Sequence, residues 1–170
     1  MKKLIFILGI LSLMATSAIA QSAGYVNTEV ILSKIPEYVQ AKQQLERMKN
    51  QYEVQIEKEI KVIENIFKQY QAEKVNLNDL QRQSRENEII MKERAVKERQ
   101  KEIFGEDGVM TSNSKKLLDP IKDLVQEAIN IVAKESGVVL VFDLTTSQGI
   151  IYNDPKGDLT PLVLKKLKIN

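Results

Sequence analysis

The chemistry open to this 170-residue chain is bounded by what it lacks: His, Cys and Trp are all absent. The commonest general base, the thiol nucleophile and the usual zinc and copper ligands are therefore missing. No G-x-x-x-x-G-K-[ST] and no G-x-G-x-x-G run offers a phosphate cradle. Carboxylates and amines abound, with 23 Asp and Glu against 25 Lys and Arg, but they form no converging constellation. An enzyme is not expected, and neither is a cofactor or a metal site. What remains is the chemistry of surfaces, in which apolar and charged side chains make contacts.

Two sets of residues could make such contacts. Apolar or small residues recur at Ala41, Leu45, Met48, Tyr52, Ile56, Ile60, Ile63, Phe67 and Tyr70, a mean step of 3.6 residues. Within this stripe Ile56, Ile60, Ile63, Phe67 and Tyr70 are contact candidates, the alternative being packing against a neighbouring helix. Val54, Val62, Ile66 and one of the pair Ile89 and Ile90 lie off the stripe and are candidates for exposed contacts. The second set is basic: Arg82, Arg85, Lys92, Arg94, Lys97, Arg99 and Lys101, interspersed with Glu86, Glu88, Glu93 and Glu98. It reads either as electrostatic capture of an acidic partner or anionic surface, or as a solvated face with pairs such as Glu93–Lys97.

Long helices must carry both sets. Eighty residues without glycine separate Gly24 from Gly105, and 83 without proline separate Pro36 from Pro120. Pro36 and Glu37 suit a helix start, and the stripe's period suits a nearly straight helix. A helix over residues 37–75 would be about 58 Å long, against a radius of gyration of roughly 15 Å for a 150-residue globule. It must project. The turn is expected near 75–78, with Asn78 capping a return helix. Gln81 to Glu88 contains no apolar residue, so the distal end is expected to be mobile. Gly105-Glu106-Asp107-Gly108 should break the return helix, with Gly105 and Gly108 as a hinge; the acidic centre and helical flanks argue against a nucleic-acid-binding G-x-x-G loop.

The ends read differently. Lys2 and Lys3, an apolar run from Leu4 and the triplet Ala18-Ile19-Ala20 predict a signal peptide cleaved after Ala20. Those two lysines are the whole of the +2 net charge, so the mature chain is neutral, which weighs against nucleic-acid binding. Tyr25-Val26 suits a short strand, with Asn27 capping a helical turn. Asp119-Pro120 opens a new helical segment or kinks a continuing one, and Gly137 stops it. Val138 to Phe142 suits a central strand covered on both faces, Ile150 to Tyr152 a second strand, and Thr160-Pro161 a cap for the last helix. Val26, Val139, Val141 and Ile151 are then either ordinary core or buried between subunits, since a small core often needs oligomerisation. The expected fold class is α+β: a small β-rich body formed by both chain ends, from which a long antiparallel helical hairpin projects. The divisions are 1–20 (signal peptide), 21–36 and 119–170 (body) and 37–118 (hairpin).

This order of pieces resembles the Skp/OmpH family of periplasmic chaperones. The similarity is carried by the signal peptide, G-Y-V-N-T-E-V-I-L at 24–32, the charged hairpin and D-P-I-K-D-L-V-Q-E-A-I at 119–129. V-V-L-V-F-D at 138–143 and D-L-T-P-L-V-L-K-K-L at 158–167 complete it. The resemblance implies a jellyfish-like homotrimer whose helical tentacles enclose a cavity for unfolded outer-membrane or other envelope proteins. The expected function is an ATP-independent holdase in the periplasm; the basic residues of the return helix add weak contact to the membrane surface as a further reading, and the charge balance leaves no nucleic-acid partner expected. Members of the family are typically basic, and this mature chain departs from that pattern. The alternative is a structural envelope protein whose hairpins serve as spacers or docking arms.

Overall fold

The computed structural model describes residues 22–169, so the predicted signal peptide and its cleavage site lie outside the described residues. The chain starts with strand β1 (Ser22–Val26) and short helix α1 (Thr28–Ser33), whose N-terminal amide, Val30 N–H, is capped by the Asn27 side chain at 3.0 Å. Helix α2 (Pro36–Glu73) begins with proline at its first position, where the missing N–H costs nothing. Its 38 residues span about 57 Å. A single 3₁₀ turn (Lys74–Asn76) reverses the chain into α3 (Asp79–Phe104). There Asn78 and Gln81 cap each other's backbone amides reciprocally.

Helix α4 (Val109–Glu135) follows after a four-residue break. Pro120 lies inside this helix, on its exposed side, so the chain continues through the proline and no new segment starts at Asp119. Gly137 ends the run with φ +67°, a left-handed conformation that disfavours side chains. Strand β2 (Val138–Asp143) pairs in parallel with β1, from Ser22 opposite Val138 to Val26 opposite Asp143. The last helix, α5 (Thr160–Lys166), begins one residue earlier than a Thr160 cap would place it. The amide of Thr160 donates to Asp158 Oδ1 at 2.9 Å, and its hydroxyl accepts from Asn27 N–H at 3.0 Å.

Both chain ends and the base of α4 share one core: Val26, Ile31, Ile35, Val125, Ile129 and Val163 are among its buried members. The apolar spacing of Ile121 to Val132 supplies its floor, as helical periodicity dictates. Two expectations for this body are corrected. Among the described residues the sheet has two strands, so β2 is not a central strand: Val139, Leu140 and Phe142 are exposed. Ile150 to Tyr152 is unpaired, exposed chain and not a strand, because no second ladder lies beside it in the single chain. The body is accordingly less β-rich than expected.

Asp143 ties the two chain ends together. Its Oδ1 accepts from the backbone amides of Thr28 (3.2 Å) and Thr145 (3.0 Å), and its Oδ2 from the Thr28 hydroxyl at 2.7 Å. Burial pushes this carboxyl up, but the bonds from Thr28 and Thr145 outweigh it and hold it below the ordinary carboxylate range. A depressed folded-state pKa stabilises fully above the unfolded value of about 3.9 and is lost as pH falls through the folded value. Asp143→Asn should therefore cost about 1.5–3 kcal/mol at pH 7, and the difference from wild type should narrow below pH 4. Urea unfolding at the two pH values measures both.

Candidate binding surface on the helical hairpin

Helices α2 and α3 meet along a seam in which Ile56, Val96 and Ile103 are buried, with Tyr52, Ile63 and Met110 packed against them. The seam follows from the apolar stripe of α2 facing three single apolar residues of α3, Ile89, Val96 and Ile103, seven residues apart, with Met110 of α4 at its base. It is narrow, and grooves open on both sides of it. One groove of about 350 Å³ is lined by Ile60, Ile63, Phe67 and Val96, with Glu64, Glu93, Lys97 and Gln100 around it. A second of about 250 Å³ is formed by Val62, Ile63, Ala95 and Val96, beside Glu59 and Lys92. Ile63 and Val96 belong to both. On α2, residues 60, 64 and 67 fall to one side of Ile63 and residues 59 and 62 to the other, as 3.6 residues per turn requires.

The candidate contact residues divide accordingly. Val54, Val62, Phe67 and Ile90 are exposed, and Ile66 is half-buried. Two are corrected: Tyr70 is 3 % exposed and Ile89 6 %, both turned into the hairpin. Of the pair, Ile90 is the outward residue. Ile60, on the stripe, is also exposed, so the stripe is wider than the partner helix can cover. Glu64 and Gln100 are groove residues that the sequence did not single out, and Glu93 was named only as a partner for Lys97. Their i, i+3 and i+4 spacing from Ile60, Val96 and Phe67 was the available signal.

Polar groups close the tip, where the apolar Val75 and Leu80 are left exposed. Tyr70 donates its hydroxyl to the Glu86 carboxylate across the hairpin, and the Lys74 ammonium sits 5.6 Å over its ring. The bond to Glu86 holds the Tyr70 phenol above its ordinary range. Arg82 Nε donates to the carbonyls of Leu77 (3.0 Å) and Lys74 (3.2 Å).

The basic residues are less free than their number suggests. Arg82 pairs with Asp79, Arg85 with Glu88, Arg94 with Glu98, and Arg99 with Glu59 across the seam. Lys92, Lys97 and Lys101 have no ion pair among the described residues; the expected Glu93–Lys97 pair is not formed, and Glu98 binds Arg94 instead. Four of the seven charges are thus paired locally, three of them along the helix, which favours the solvated-face reading over a patch free to capture acidic partners.

Gly105 and Gly108 sit in the break between α3 and α4 with tight backbone surroundings. A Cβ on Gly105 would lie 2.3 Å from the Lys101 carbonyl oxygen, and one on Gly108 would lie 2.7 Å from that of Ile103. The Thr111 hydroxyl donates to the Gly105 carbonyl at 3.2 Å, and the Phe104 ring meets Tyr52 edge-on at 6.5 Å. These contacts pack the break closely against the ends of α3 and α4.

In the body, Val26 is buried and Val141 packs against the core, whereas Val139 is 66 % exposed and Ile151 fully exposed. For these last two, the reading as core of a single chain is corrected.

No curated protein gives a significant match to the chain. A family model described as "Outer membrane protein (OmpH-like)" matches residues 22–167, which takes in both strands, both arms of the hairpin and the last helix. The protein therefore belongs to the OmpH-like outer membrane protein family.

Proposed function

We propose that the protein is a periplasmic holdase that keeps unfolded outer-membrane proteins from aggregating, acting as a trimer and without ATP. Membership of the OmpH-like family supports a periplasmic chaperone of outer-membrane proteins at the level of the family. The observation that carries the finer reading is the hairpin itself: an arm of about 57 Å whose seam leaves Ile60, Val62 and Phe67 open to solvent. Such a surface needs no catalytic group. It binds unfolded chains through weak contacts and holds them open by mass action, and several arms acting together raise avidity without any strong single contact.

Assembly is proposed through the body. Val139, Leu140 and Phe142 on the open-edged strand β2, and Ile151, which shares a surface hollow with Phe142, are exposed apolar residues that a second copy would bury. The break at Gly105–Gly108 serves as the joint of each arm. The test is dilution of a urea-unfolded outer-membrane barrel with and without the protein, followed by light scattering. Suppression at near-stoichiometric ratios is the expected result. Undiminished scattering at a several-fold molar excess refutes the holdase reading and leaves that of a spacer.

A further inference from the structure

We propose that the Phe67 side of the hairpin seam selects extended client segments in which an apolar or aromatic side chain is flanked by cationic residues. This rests on the holdase reading and adds to it the chemistry of the preferred client. The two grooves share a floor, Ile63 and Val96, and differ in their rims. On the Phe67 side, Glu64, Glu93 and Lys97 form no ion pair among the described residues, so this rim carries a net negative charge. On the Val62 side the charged lining residues are Glu59, already held by Arg99, and the unpaired Lys92, so that rim carries no net negative charge. Two apolar grooves on opposite sides of one arm therefore differ in rim charge, and only the Phe67 side is net negative.

The Phe67 groove, at about 350 Å³, lies at the small end of ligand-sized clefts, which run from roughly 300 to 1,000 Å³. That is room for one large side chain of an extended peptide, not for a helix. In an extended segment, residues two apart point the same way. Charges two positions either side of the anchor would thus come down on the rim, where Glu64 and Glu93 meet them.

The chain has no tryptophan, so the fluorescence of a peptide tryptophan reports binding without background. Two peptides, identical except for a Lys-Ser-Trp-Ser-Lys or Glu-Ser-Trp-Ser-Glu centre, would be titrated with the full mature protein. The lysine peptide should bind about two- to fivefold tighter at low salt, the range of exposed ion pairs, and the difference should vanish in 1 M NaCl. The double variant Glu64→Gln/Glu93→Gln should abolish the preference. Lys97→Gln should enlarge it, which keeps the test open if the double variant folds poorly. Equal affinities, a preference for the glutamate peptide, a preference that survives the double variant, or no binding of either peptide would overturn the assignment. Barrel protection measured on the same preparation separates the two ideas: protection without the peptide preference sinks this inference alone, and lost protection sinks the holdase reading.

Discussion

Replacing Val139 and Ile151 together by aspartate is expected to leave the protein monomeric at micromolar concentration, where the proposed trimer would otherwise form. Both side chains are exposed in the protomer, one at 66 % and the other completely, so the substitutions remove nothing from its core. Burying two such side chains between copies contributes about 3–6 kcal/mol. Two carboxylates in their place would be desolvated without partners. Even the low end of that range weakens each contact more than a hundredfold, since 1.4 kcal/mol is a factor of ten. Sedimentation velocity reads the mass and far-ultraviolet circular dichroism the helicity, which should be unchanged. A variant that sediments with the mass of the wild type would remove the body surface from the account.

Ile31→Ala is expected to have the largest effect on stability. Ile31 is fully buried where α1 meets the core residues of α4 and α5, Val125, Ile129 and Val163 among them. Truncating such a side chain costs about 2–5 kcal/mol, since the lost transfer energy is joined by that of the cavity left behind. Set against a total of about 5–15 kcal/mol for a domain, this lowers the melting temperature by roughly 5–20 °C. Val54→Ala, on the outer side of α2, should stay within about 0.5 kcal/mol of wild type. Equal melting temperatures for the two variants would show that the core is not where the burial pattern puts it.

Much of the hairpin was legible because each arm is governed by local rules. The 3.6-residue stripe, Pro36 at a helix start, Asn78 as a cap and the glycines at 105 and 108 each act within a few residues of themselves, and the elements fall where these signals lie. The errors share a different cause. Whether Tyr70 packs, and which of Ile89 and Ile90 faces outward, stay open from their own helix, because the other arm decides their burial. Strand patterning at Ile150 to Tyr152 is genuine, but a strand exists only with a neighbour, and a single chain supplies none there. Arg99 looked like one base in a patch because its partner, Glu59, is 40 residues away. The Asp143 junction went unread for the same reason, although Asp143-Leu144-Thr145 is a local turn signal that half discloses it.

The central claim is that the exposed apolar side chains of the seam, and not bulk charge, carry the proposed grip on clients. The most direct measurement is barrel aggregation in the presence of the triple variant Ile60→Gln/Val62→Gln/Phe67→Gln, with oligomer mass and helicity checked against wild type. Protection should fall several-fold with mass and helicity unchanged. A variant that protects as well as wild type would contradict the account.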